Sequence, residues 1–168
     1  MTAPPEIHDE VDRLVAAWRR ERPDVDVAPM EVLSRVNRIA YHLDRARRLA
    51  FAAYGLEPWE FDVLSALRRA GSPYELSPGR LIRETLVTSG TMTNRVDRLA
   101  NKGLVERRPD QQDRRSIQVR LTDSGRDAVD GALDELLESE QKLLAGLTPE
   151  AAGMLADVLR TLILPLDA

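Results

Sequence analysis

Apolar side chains recur at three- and four-residue spacing along most of the chain, the period of amphipathic helices. Ile7, Val11, Leu14, Val15 and Trp18 follow Pro4-Pro5 and predict a first helix over residues 5–21, broken by RPDVDVAP with Pro23 and Pro29. Leu33, Val36, Ala40 and Leu43 predict a second over 30–54, stopped at Gly55 by a left-handed cap. Pro58 opens a third that runs through Trp59, Val63 and Leu67 to Gly71. Two shorter helices follow, from Ser77-Pro78 to Glu84 and from Ser89 to Asn101, the latter ended by Gly103. The period then changes: LVERR and SIQVRL read as short strands, and PDQQDRR between them has the polar turn chemistry of a hairpin. A long helix over 123–145 carries Leu133, Leu136, Leu137, Leu143 and Leu144. A last one starts at Thr148-Pro149 and carries Leu155, Val158, Leu159 and Leu162. There is no internal repeat and no low-complexity tract.

Two short helices with a tight joint, followed by a hairpin, predict a winged helix-turn-helix lobe. The fold class is therefore mainly α with a small β-hairpin: a winged helix-turn-helix DNA-binding lobe plus a helical region whose leucine-rich stripes exceed what one small lobe can cover. Within a single chain of 168 residues, 5–54 hold the N-terminal helices, 56–121 the winged lobe and 122–165 the C-terminal helices.

Composition narrows the function. With 43% hydrophobic residues the chain can bury one core. It has no cysteine, and His8 and His42 are the only imidazoles, both placed on solvated helix faces, so no metal and no cofactor is expected. Nucleotide-binding glycine loops, metal-binding histidine pairs and nucleophile motifs are missing, which argues against an enzyme. No apolar run approaches the ~20 residues that span a bilayer, and MTAPPEIHDEVDR is too acidic for a secretory signal, so the expected address is cytoplasmic with no membrane partner. The net charge of −4 hides a division: residues 80–120 hold ten Arg/Lys against five Asp/Glu, whereas 122–168 hold three against ten. A basic middle between acidic ends suits a module for double-stranded DNA; a merely solvated charged surface is the plainer reading.

On a helical wheel of residues 88–102, Met92, Val96 and Leu99 form one narrow stripe that must face the core. Opposite lie Thr91, Asn94 and Arg98, the residue types that bond base edges and phosphates, with Thr93 beside them. Ser89, Gly90 and the first-turn amides can approach a phosphate. Arg98 sits about 120° from the stripe's centre and Arg95 only about 60°, so Arg95 can turn inward. At the hairpin tip, Arg114 and Arg115, one of them oriented by Asp113, can enter a narrow minor groove, or serve only as a charged soluble turn.

In TNRVDRLANKGLVERRPDQQDRRSIQVRLTDSGR the order of recognition helix, K-G-L-V-E-R-R, D-R-R wing tip and L-T-x-x-G resembles the MarR family of bacterial transcriptional regulators, over about residues 33–162. The resemblance implies a homodimer whose helical dimerisation region is built from the terminal helices, with 122–165 as dimerisation helices and 5–54 contributing to dimerisation and to the ligand pocket. It also implies a palindromic operator, repression, and release by a small molecule. The added N-terminal helix is similar to that of the urate-responsive branch. In that branch a tryptophan on the added helix, an aspartate before the reading head, an arginine in the recognition helix and an arginine on the first wing strand form the effector pocket. The matching positions are Trp18, Asp62, Arg95 and Arg107, and the implied ligand is urate or a related anionic purine.

Local patterning leaves plainer roles open. Trp18 lies on its helix's apolar stripe, as a core or interface anchor would. Asp62 is placed at the edge of a buried face, where an ion pair with Arg95 would hold the recognition helix. Arg107 shares a strand face with Val105 and can be half buried. A ligand-insensitive architectural or protein-binding winged helix is the competing class.

Overall fold

The computed structural model describes residues 8–109 and 117–166, in two compact units, 1–45 and 46–168. Ten elements follow in order: α1 (Glu10–Glu21), α2 (Ala28–Ala53), α3 (Pro58–Arg69), β1 (Glu75–Leu76), α4 (Pro78–Thr85), α5 (Ser89–Asn101), β2 (Val105–Pro109), β3 (Ile117–Leu121), α6 (Asp123–Leu144) and α7 (Pro149–Ile163). The fold class is the expected one, mostly helical with a small antiparallel sheet.

In the first unit, Asp9 caps α1 by accepting from the amides of Val11 and Asp12, and Asp12 accepts in return from the Asp9 amide at 2.8 Å. The helix thus starts at Glu10; the predicted residues 5–7 lie outside the described ones. Val11, Val15 and Val27 form a small core with Met30 against it, while Leu14 and Trp18, predicted on the same stripe, are 42% and 45% exposed. Charge holds these helices together as well: Arg35 donates to Asp9 at 2.8 Å and to Asp12 at 2.6 Å, and Arg38 pairs with Glu10 at 2.7 Å. Arg35 brings the Asp9 carboxyl down from 3.8 to about 2. A carboxyl depressed by folding contributes stability that is full above its ordinary value and is lost as pH falls through the folded one. Docking of α1 on this part of α2 is therefore expected to hold at neutral pH and to weaken as pH falls from 3.8 toward 2. The methyl resonances of Val11 and Val15 report it, and Arg35→Met should remove that acid step.

In the second unit, one core joins the end of α2 to α3, α4, α5, the sheet and the first half of α6, with Leu64, Leu67, Leu81, Leu99 and Val119 fully buried. The sheet order is β1-β3-β2, all antiparallel, with Arg107 opposite Val119 and Leu76 also opposite Val119 on the other side. The sequence pattern does not predict the two-residue β1, because so short a strand carries no alternation to read; β3 recruits it by pairing. The L-T-x-x-G stretch ties the hairpin to α6. Thr122 caps the helix by accepting from the Gly125 amide at 3.0 Å, and its hydroxyl donates to the Gly103 carbonyl at 2.8 Å. Gly125 lets the backbones touch, since a Cβ there would lie 2.0 Å from the Leu104 carbonyl oxygen.

Not all predicted apolar stripes are covered. Of the α6 leucines only Leu136 is buried, and α7 has no buried residue at all, with Leu155, Val158 and Leu162 between 40% and 58% exposed.

Candidate nucleic-acid interface

The helix-turn-helix is set by its caps. Ser77 accepts from the Arg80 amide to start α4, and Leu86 in the left-handed region (φ 53°) ends it. Thr88 then accepts from the Thr91 amide to start α5. Met92, Val96 and Leu99 are at most 2% exposed, so the stripe faces the core as predicted. Ser89, Gly90, Thr91, Thr93, Asn94 and Arg98 are all exposed on the remaining face, and Arg95 is half-buried. The Thr93 hydroxyl donates to the Ser89 carbonyl at 3.1 Å and that of Thr91 bonds Thr88, whereas Asn94 and Arg98 project into an open cleft of about 480 Å³ shared with Trp59, Gly90, Thr91 and Arg95.

The floor of that cleft is the Trp59 indole. The Arg98 guanidinium carbon lies 4.7 Å from the ring centre and that of Arg95 5.4 Å, both within cation–π range. Glu57 joins them: one carboxylate oxygen accepts from the indole N–H at 2.6 Å and the other from Arg98 at 2.8 Å. The indole bond, with the Arg98 charge behind it, holds the Glu57 carboxyl below its ordinary value. The sequence marks neither Glu57 nor Trp59 as part of a site. Glu57 reads as a helix-start carboxylate before Pro58 and Trp59 as core, and no local signal joins them to α5.

Trp18 is half-exposed on α1 in the first unit. Arg107, exposed rather than half-buried, pairs with Asp97 of α5 at 2.6 Å, linking the first wing strand to the recognition helix. Asp62 is exposed, and the expected Asp62–Arg95 ion pair is not found among the described residues; Arg95 lies on Trp59 instead. The buried carboxylate of α3 is Glu60, on the face of Val63, Leu64 and Leu67, with no exposed surface. It accepts from Lys102 at the end of α5 at 2.7 Å and from the Glu57 amide at 2.9 Å. Arg114, Arg115 and Asp113 lie outside the described residues. Among the described residues no group of three acidic or imidazole side chains could hold a metal, and no helix is long and apolar enough to cross a membrane.

Residues 54–116 match the sequence model of the MarR family. The chain is 39% identical over 141 residues to the HTH-type transcriptional regulator PecS of Dickeya dadantii, covering 84% of this chain and 85% of that one. Its fold resembles Sco5413, a MarR family transcriptional regulator from Streptomyces coelicolor, with a TM-score of 0.66 and 25% identity over 84% of this chain and 97% of that one. It also resembles a mutant MarR from E. coli complexed with operator DNA, with a TM-score of 0.65 and 25% identity over 83% and 99% of the two chains.

Proposed function

Because the chain belongs to the MarR family of ligand-responsive DNA-binding transcriptional regulators, which are not enzymes, we propose that it works in the cytoplasm as a homodimeric repressor on a palindromic operator, released by urate or a related anionic purine. The observation that supports the DNA reading most is the exposed polar ridge of α5 over its buried stripe. Thr91, Asn94 and Arg98 would meet base edges. Ser89, Gly90 and Thr93 would meet the backbone, and Arg114 and Arg115 the minor groove. Residues 56–121 act as the reading lobe, while 5–54 and 122–165 supply the dimer contacts. The bare apolar face of α7 favours this, since Leu155, Val158 and Leu162 need a partner surface.

For the effector, Arg95 and Arg107 supply positive charge for a planar anion, and Asp62 the carboxylate that a bound anion repels. The two arginines are held by Trp59 and Asp97. These are contacts at the surface, where ion pairs are weak enough to exchange. An anion that draws Arg107 from Asp97 loosens the wing from α5, and one that draws Arg95 shifts the reading helix itself. Ligand and DNA thereby compete for one element. A full switch from 1:99 to 99:1 requires about 5.5 kcal/mol of preference for the released state.

The test is urate titration into a complex of the protein with its own upstream DNA, at fixed salt, with xanthine and phenolic acids as comparison ligands. Urate should release wild-type protein; Arg95→Ala should need more of it, and Asp62→Asn, which removes the repelling charge, should need less. Release of both variants at wild-type potency would remove these residues from the ligand site. DNA binding indifferent to every ligand would mark an architectural winged helix instead.

A further inference from the structure

We propose that Glu57 is a positioning residue for DNA reading: together with Trp59 it holds the Arg98 guanidinium in one orientation, so that operator sequence is read by a side chain already in place. The inference rests on Arg98 meeting DNA, as proposed above. A carboxylate beside a DNA-reading face repels phosphates, yet Glu57 stands 2.8 Å from the outermost arginine of that face. The pair is open to water, with side chains 52% and 53% exposed, so as an ion pair it adds little to folding. What it supplies is geometry.

Glu57 is itself fixed at three points. Pro58 begins α3 immediately after it, its amide donates to the buried Glu60 at 2.9 Å, and its carboxylate accepts from the Trp59 indole at 2.6 Å. The Arg98 guanidinium is then held from two sides, by the carboxylate at one nitrogen and by the indole 4.7 Å below. Among the described residues its other nitrogens have no partner, and a guanidinium has enough donors left for a two-point contact with a guanine edge. An arginine free to sample rotamers must be ordered on binding and can settle on any phosphate in reach. A fixed one favours the site that matches its orientation. Glu57 thus sharpens the preference for operator over other DNA more than it raises overall affinity.

The experiment is a double-mutant cycle on the full chain. Glu57→Ala, Arg98→Ala and the double variant are compared with wild type for affinity to operator and to unrelated duplex at one salt concentration, with thermal melting to establish that each is folded. Arg98→Ala should lower the operator-to-unrelated ratio about tenfold. Glu57→Ala should lower it by a similar factor while tightening binding to unrelated DNA, and once Arg98 is gone it should leave the ratio unchanged, because the lost repulsion then acts alike on both duplexes. Glu57→Gln, which keeps one acceptor oxygen but replaces the other with an amide donor and loses the charge, should recover only part of the ratio. If Arg98→Ala lowers the ratio but Glu57→Ala leaves it unchanged, raises it or acts additively, the positioning role is overturned while the DNA reading stands. If Arg98→Ala itself has no effect, the reading of Arg98 fails, and this inference fails with it.

Discussion

Lys102→Met is expected to lower the unfolding free energy by about 3 kcal/mol, although Lys102 is an accessible residue at a helix end. The reason is its partner. Glu60 has no exposed surface; one carboxylate oxygen accepts from Lys102 Nζ at 2.7 Å and from the Glu57 amide, and the other has no partner among the described residues. Removing the ammonium leaves a charge inside the core with one backbone N–H to answer it, and an uncompensated buried charge costs about 3–5 kcal/mol. The lower end applies because the Lys102 side chain is 42% exposed and water can enter where it leaves. Urea denaturation monitored by circular dichroism measures the change. Glu60→Gln in the Lys102→Met background should restore much of the loss, since the amide carries no charge to strand. A Lys102→Met protein within about 1 kcal/mol of wild type would show that Glu60 is solvated well enough to stand alone. Lys102 also donates to the Gly55 carbonyl at 3.3 Å, so this side chain ties the end of the recognition helix to the turn that precedes α3.

Gly125→Ala is expected to destabilise by a similar amount, about 3 kcal/mol, from sterics alone. The new Cβ would sit 2.0 Å from the Leu104 carbonyl oxygen and 2.9 Å from its carbon. Both are backbone atoms, and the Leu104 carbonyl accepts from the Thr122 amide at 3.2 Å, so neither can swing aside as a flexible side chain would. Relief requires α6 to back away from the wing, breaking the Thr122 bonds to Gly103 and Gly125. Gly79→Ala is the control: nothing lies within 4 Å of its Cβ position, so it should be neutral or slightly stabilising. Equal melting temperatures for the two variants would refute the close approach.

The difference between Arg95 and Arg98 is legible in the sequence, because a helix of known phase places one nearer the apolar stripe and the other away from it. The bounds of α5 are legible for the same reason, with Thr88 and Gly103 marking its ends. The partners of these arginines are not. Asp62 reads as the half-buried carboxylate of α3, judged from Trp59 and Ala66; the deeper face runs through Glu60, Val63, Leu64 and Leu67. Glu60 escapes a sequence reading because a glutamate in the first turn of a helix ordinarily faces water and the helix dipole. Here it is buried, and a lysine 42 residues further on meets its charge.

The succession of helices, the starts at Ser77-Pro78 and Thr148-Pro149, the stops at Gly55 and Gly103, the hairpin strands and the two faces of the recognition helix are legible in the sequence, because they rest on interactions within a few residues: capping bonds, apolar period and glycine conformation. Tertiary structure decided which charges meet. It set Arg107 on Asp97, Arg98 on Glu57 and Trp59, Lys102 on Glu60, and it recruited β1 to β3. It also left the apolar face of α7 uncovered. Pairing of long charged side chains depends on distances between elements that no local period encodes, and in a chain with 24 basic and 28 acidic residues many alternative pairs have the same chemistry. Only packing of the helices around the core selects among them.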